Sequence, residues 1–305
     1  MSADVAYSSC CASCGVEIDD VKLVPCDGCD LAKYCSDACQ ELHRPEHAGK
    51  CRKRAAELRD DVLFKQLESS CFGECPICSL PLSLDKEKSV MHRCCSKLIC
   101  NGCVVANMKR LAERRLQYSC PFCREPLPKT DAERDKRMKK RIEANDPIAM
   151  VQVGLGQYKN EDYQSAFEYW TKAAESDDAE AHYHLARLYH HGLGVEKDEG
   201  KMMHHWEEAT IGGHPEARYE LGRHEGNNGK IERAVKHWII AATQGEDKAI
   251  KELLEAFKAG FVEKDVLAAT LRAQKAAVDA TKSPQRKAAE FYRMKRLLQN
   301  QNSST

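Results

Sequence analysis

CPICSLPLSLDKEKSVMHRCCSKLICNGCVVANMKRLAERRLQYSCPFC, running from Cys75 to Cys123, carries eight cysteines in four pairs. The pairs are Cys75–Cys78, Cys94–Cys95, Cys100–Cys103 and Cys120–Cys123, separated by fifteen, four and sixteen residues. Thiolates two residues apart can chelate one ion, because a tight turn brings both sulfurs to one side. Two such pairs fill a tetrahedral zinc site. Four pairs in so short a stretch predict two zinc ions, not disulfides.

The order of a short pair, a loop, a central cluster, a helix-length spacer and a final CPFC resembles the RING family. Members of that family are cross-braced. The resemblance implies that Cys75, Cys78, Cys100 and Cys103 hold one ion, and that Cys120 and Cys123 hold the other with two ligands from the central cluster. Lys97 stands where the commoner pattern has a histidine, and a lysine cation cannot ligate. The spacing is therefore similar to the rarer all-cysteine form, with Cys95 as one ligand and Cys94 as the other, or His92 if adjacent cysteines cannot both reach the metal. RING domains recruit a ubiquitin-conjugating enzyme and promote transfer of ubiquitin to a lysine without a nucleophile of their own. By the same resemblance, Ile77 and Pro121 are the apolar contacts with that enzyme. Arg124, directly after the eighth ligand, is the residue that grips enzyme and ubiquitin together.

Pairing continues upstream. Cys11 and Cys14, Cys26 and Cys29, Cys35 and Cys39, and His47 and Cys51 form four more sets. On a helix, residues four apart share a face, which suits the last two sets to ligation. The run YCSDACQ…HRPEHAGKC resembles the MYND zinc finger. Its cross-bracing implies Cys11, Cys14, Cys35 and Cys39 on one zinc and Cys26, Cys29, His47 and Cys51 on the other. Cys10 is then spare or replaces Cys11. MYND fingers dock proline-rich peptides with a tryptophan three residues before the ligand histidine, and here that position is Arg44.

Four Zn2+ ions per chain follow, all structural, since protein atoms fill every position. Modules this small cannot hold together by apolar burial. A structural zinc contributes roughly 10–16 kcal/mol of apparent binding energy at neutral pH, so metal is expected to hold both.

All 17 cysteines lie at or before Cys123, which divides the 305 residues into a metal-dependent part and a cysteine-free part. With 47 basic and 47 acidic residues, net charge is zero and supplies no bulk attraction to nucleic acid or membrane. The opening MSADVAYSSCC lacks the apolar core of a secretory leader, and no stretch approaches the roughly 20 apolar residues of a spanning helix. Reduced thiols favour a cytoplasmic or nuclear setting.

Residues 145–283 repeat. Units begin AMVQVGLGQY at Ala149, AHYHLARLYHHG at Ala181, ARYELGRHEG at Ala217 and AIKELLEAFKAG at Ala249, spaced 32, 36 and 32 residues apart. Trp170, Trp206 and Trp238 share one position in the second segment, with Ala273 in the fourth copy, and small residues follow each. Small residues at fixed sites let helices approach, with the large ring filling the gap beside them. LARLYHHGLGVEKD resembles the Sel-one-like repeat, a relative of the tetratricopeptide repeat. Four helix–turn–helix units stacked into a right-handed solenoid are expected. Nine of the twelve histidines fall here. With no cysteine beside them they read as solvated or groove-lining rather than as a further metal site.

The expected fold class is small zinc-stabilised modules followed by an all-α solenoid. The expected domains are a MYND-like finger at 11–51, a linker helix at 52–70 and a RING-like finger at 71–127. A charged linker at 128–144, the repeats at 145–283 and a capping helix over the last repeat at 284–298 complete the chain. No phosphate loop, GxSxG or HExxH motif is present. The expected function is a RING-type ubiquitin ligase with a conjugating enzyme and a protein substrate as partners. The alternative is a non-catalytic scaffold.

Overall fold

The computed structural model describes residues 11–14, 23–67 and 70–302. The chain forms two compact units, Met1–Lys65 and Gln66–Thr305.

In the first unit a short hairpin, β1 (Val24–Pro25) and β2 (Lys33–Tyr34), pairs antiparallel with Val24 opposite Tyr34. It leads into α1, Asp37–Leu63. Ser36 caps α1 by accepting a hydrogen bond from the Cys39 amide at 3.3 Å, and Asp37 places a negative charge at the positive helix end. Among the described residues, a small apolar cluster of Cys11, Ala32 and Tyr34 forms here, with Leu23 and further cysteines around it. The separate linker helix expected from residue 52 is not a separate element. α1 runs unbroken through Cys51, because ligands four apart use one face and demand no turn after them. Pro45 lies inside α1 on its exposed side, where the carbonyl it leaves unbonded can meet water.

The second unit begins with its own hairpin. β3 (Ser89–His92) pairs antiparallel with β4 (Lys97–Cys100), from Ser89 opposite Cys100 to His92 opposite Lys97. α2 (Asn101–Glu113) follows directly. Then comes α3 (Asp131–Glu143), which packs on the first helix of the solenoid and buries Met138. The charged linker is thus a mostly exposed helix that leads into the array and packs on its first helix.

Four helix pairs make the array: α4 (Pro147–Lys159) with α5 (Tyr163–Ala174), α6 (Ala179–His191) with α7 (Glu199–Ile211), α8 (Pro215–Asn227) with α9 (Ile231–Thr243), and α10 (Asp247–Lys258) with α11 (Lys264–Ala280). One junction recurs between layers. Asn145, Asp177, Gly213 and Gly245 each take a positive φ, of 54°, 54°, 81° and 99°. The next residue then caps the following helix: Asp146, Asp178, His214 and Glu246 each accept from a first-turn amide. A left-handed residue ends one helix and a capping side chain starts the next. The repeat phase shows in the core, where Ala149, Ala181, Ala217 and Ala249 are all fully buried. Trp170, Trp206 and Trp238 are buried as well, at 1%, 4% and 7% exposure. In the fourth pair α11 packs on α9 as well as on α10, and Ala276, at the small position, is exposed.

The last helix, α12 (Pro284–Asn302), corrects an expectation. It packs on α2 of the zinc module. Arg293 pairs with Glu87 at 2.6 Å and Lys88 with Glu290 at 3.1 Å. An amphipathic pattern says that a helix buries one face but not against what, and Gly102 on α2 is what allows the approach. A Cβ there would lie 3.0 Å from the Arg286 amide nitrogen.

The zinc module also runs along the array. Ser96 accepts from Arg141 at 3.3 Å, Lys86 pairs with Glu180 of α6 at 2.5 Å, the Cys71 amide donates to Gly213 at 3.0 Å, and Gln66 donates to Thr243 at 3.2 Å. Module and solenoid therefore form one folded body.

Candidate metal centres

Four groups of side chains bring their ligand atoms within 4.8 Å of one another. They are Cys11, Cys14, Cys35 and Cys39; Cys26, Cys29, His47 and Cys51; Cys75, Cys78, Cys100 and Cys103; and Cys94, Cys95, Cys120 and Cys123. A zinc ion with bonds of about 2.3 Å to sulfur needs sulfurs roughly 3.8 Å apart along a tetrahedron edge. The Sγ pairs Cys14–Cys35, Cys26–Cys51, Cys78–Cys100 and Cys95–Cys120 stand 3.5, 3.7, 3.8 and 3.9 Å apart. His47 Nε2 lies 3.2 Å from Cys29 Sγ, closer than the sulfur pairs, in keeping with the shorter zinc–nitrogen bond. Donor chemistry and spacing both fit zinc, four ions per chain.

The two cysteine pairs that open and close the second module are built alike. Ser79 N donates to Cys75 O at 2.9 Å, and Arg124 N donates to Cys120 O at 3.0 Å. Cys75 N donates to Leu80 O and Cys120 N to Glu125 O, at 3.0 and 2.8 Å. Ser79 and Arg124 both take a positive φ, 51° and 62°. Each pair is thus a tight knuckle that turns two sulfurs toward one ligand group and leaves Ile77 or Phe122 exposed at its tip. Between them, Cys95 and Ser96 both donate to His92 O. This turn, with Ser96 at a φ of 52°, carries Cys94 Sγ to 3.3 Å from Cys123 Sγ. His92 lies outside the group, 8% exposed, and its Nε2 has no partner among the described residues.

Electrostatics inside the groups call for a cation. Burial opposes ionisation of Cys11 and Cys78. The Cys14 amide at the first, and the Leu80 amide and Arg286 at the second, outweigh it and bring these thiols to about 6 and about 7. Cys94 and Cys103 are pushed strongly up by burial and then by neighbouring thiols. Four thiolates crowd together at low cost only around a divalent ion.

The residues singled out for enzyme contact lie on the knuckles. Ile77 is 43% exposed, Pro121 half-buried and Arg124 exposed. Phe122 is a further exposed apolar residue, at 44%, with Lys97 Nζ 6.0 Å from its ring centre. The sequence does not single it out, because CPFC alone does not say which middle residue faces out. Arg44 is exposed and ion-paired with Glu41 at 2.5 Å, so the tryptophan position of the first finger holds a solvated charge.

Histidines of the solenoid have local partners. His184 stacks on Trp170 and His214 on Tyr183, at 4.6 and 4.4 Å between ring centres, and His214 Nε2 lies 3.1 Å from Glu180. Among the described residues, ligand atoms converge only in the four groups above. Cys71 stands outside them. A cavity of about 420 Å³ lies between the second module and α4 and α6, lined by Phe72, Met91, Leu98, Ile148, Val151 and Leu155 among others.

Residues 11–51 match the MYND finger family, and residues 148–178, 179–214 and 215–246 match the Sel1 repeat. The chain thus contains a MYND finger and three Sel1 repeats recognisable by sequence. A protein of Ostreid herpesvirus 1 that is named as a RING finger protein is 35% identical over 49 residues, which are 16% of this chain and 20% of that protein. The chain thus matches only about a fifth of that relative's length. Among solved structures, a Sel1 repeat protein from Oxalobacter formigenes is similar at 21% identity and a TM-score of 0.43, covering 64% of this chain and 86% of the other. A protective antigen of uropathogenic Escherichia coli strains with an SLR fold is similar at 22% identity and a TM-score of 0.42, covering 48% of this chain and 34% of the other.

Proposed function

We propose that this zinc-binding, protein-interaction chain is a RING-type ubiquitin ligase. The observation that carries the reading is the pair of matched knuckles with exposed apolar tips. Ile77 and Phe122 present 43% and 44% of their surface to solvent, and neither fills a core, so a partner surface is their use. Zinc would fix the knuckle backbones and take no part in bond making. The conjugating enzyme brings the ubiquitin thioester. The amine of a substrate lysine attacks its carbonyl, and the enzyme's thiolate leaves. Arg124 would hold two carbonyls at once through its planar fork, keeping the loaded enzyme in one orientation. The likeness to a protein named as a RING finger protein supports the same reading. The Sel1 repeats would select the substrate, with the cavity between module and array offered to an apolar side chain. Thiolate-rich sites need reduced cysteines, which favours the cytosol or nucleus as the setting of this work.

A second reading is a scaffold without transfer activity, favoured by the share of the chain given to repeats and finger. Discharge of ubiquitin thioester to free lysine, run over a panel of conjugating enzymes, separates the two. Acceleration by the wild-type chain, with Ile77→Ala and Phe122→Ala weakened at unchanged zinc content, supports the ligase. No acceleration with any enzyme leaves the scaffold.

A further inference from the structure

The C-terminal helix begins against a zinc site. Arg286 Nη2 donates to Cys78 Sγ at 3.5 Å and to Leu80 O at 3.0 Å. Its Nη1 donates to Pro81 O at 2.6 Å and to Thr281 O at 2.7 Å. The neighbouring Gln285 Nε2 donates to Gly102 O at 3.1 Å and points at Cys103 Sγ, 3.8 Å away. The two sulfurs belong to different pairs of the cross-brace, one on the first knuckle and one on α2. Two consecutive residues of α12 therefore reach both halves of one four-sulfur group, from more than 180 positions along the chain.

We propose that Arg286 and Gln285 are the outer shell of the Cys75–Cys78–Cys100–Cys103 zinc site, and that α12 is a working part of that centre. The chemistry asks for such donors. Four thiolates on one divalent ion leave two surplus negative charges, and N–H···S bonds withdraw charge from sulfur and fix ligand direction. The residue type follows from the acceptors. One sulfur and three carbonyls around one side chain require a planar fork with several donors, which arginine has and lysine lacks. Gly102 completes the fit, since a Cβ there would meet the Arg286 backbone at 3.0–3.1 Å. The inference does not depend on ligase activity. It concerns how tightly one of four metal ions is held.

The test is zinc release from the purified full-length chain to a chromophoric chelator, with Co2+-substituted protein as a spectroscopic check. Arg286→Ala should speed the loss of one zinc equivalent in four by about tenfold or more and shift the sulfur-to-cobalt charge-transfer band. Gln285→Leu, a milder change that keeps the arginine clamp, should speed the same equivalent less. Arg293→Ala removes the Glu87 ion pair and touches no sulfur, so it should release zinc at the wild-type rate. Wild-type release in both Arg286→Ala and Gln285→Leu overturns the proposal. Equal acceleration by Arg293→Ala also overturns it, because helix docking alone would then account for the effect. If Arg286→Ala does not fold, Gln285→Leu decides by itself, and a wild-type rate and band there overturn the proposal.

Discussion

The indole Nε1 of Trp170 occupies the space a side chain on Gly154 would need: a Cβ built there lies 2.4 Å from it. The ring also donates to Val151 O at 3.3 Å. Two repeats on, Gly222 meets Trp238 in the same way, at 2.7 Å. In the second copy this register position is Ala186, and in the fourth it is Leu254, with Ala273 at the position of the tryptophan. Gly154→Ala should destabilise the second unit by about 1–3 kcal/mol through overpacking, read from urea unfolding followed by circular dichroism. A change below about 0.5 kcal/mol would mean that the indole moves aside freely.

Truncation in the middle of the array should cost more. Trp206 is 4% exposed, and Trp206→Ala leaves a cavity worth about 3–5 kcal/mol. The helical signal should survive at low temperature with an earlier urea midpoint. An unchanged midpoint would place the ring outside the load-carrying core.

Metal loss should act differently on the two units. Wild-type protein should contain four zinc ions by elemental analysis. Cys26→Ser should remove zinc from the first unit and leave unfolding of the second unchanged. Cys100→Ser should lower the unfolding temperature of the solenoid as well, because Cys100 directly precedes α2 and α12 docks there. Identical unfolding curves for Cys100→Ser and wild type would show that module and array melt separately. For the same reason, a fragment that starts at Ala144 should be helical in chelator yet less stable than in the whole chain, since α12 loses its floor.

Acid should weaken the array through His205. Burial first, then the neighbouring His182 and His204, lower its imidazole to about 4, with Glu208 opposing and Lys201 assisting. Below pH about 6.5 the unfolded chain therefore takes up a proton that the folded chain refuses. This contribution is complete above 6.5 and is lost progressively as pH falls toward 4. His205→Gln cannot titrate, so the difference between variant and wild-type stability should shrink across that window. Parallel curves would show that the folded protein protonates His205 without penalty.

Much of this architecture is local and was open to the sequence. Ligand spacing in Cys75–Cys123 is a matter of turns, and Ala149, Ala181, Ala217 and Ala249 are one small position seen four times. What the sequence hid is long-range. Nothing in PQRKAAEFYRMK says that Arg286 belongs beside Cys78, because the partners that seat it there, the Leu80 and Pro81 carbonyls and Gly102, lie about two hundred residues away. The continuity of α1 was hidden for another reason: metal ligands end at Cys51, and a helix need not end where its chemistry does. The outward turn of Phe122 depends on the left-handed φ of Arg124, a conformation that residue type does not announce.

Helical arrays ordinarily tolerate a change in the number of their units, since each layer contacts only its neighbours. Here the zinc module touches the array at Arg141, Glu180, Gly213 and Thr243 and is then gripped by the helix that follows the last repeat. Each added helix layer would carry Pro284 away by roughly 8–10 Å, farther than any side chain on α12 could make up. The module acts as a gauge: an array one unit longer or shorter would no longer close on it, so copy number in this chain is a fixed dimension.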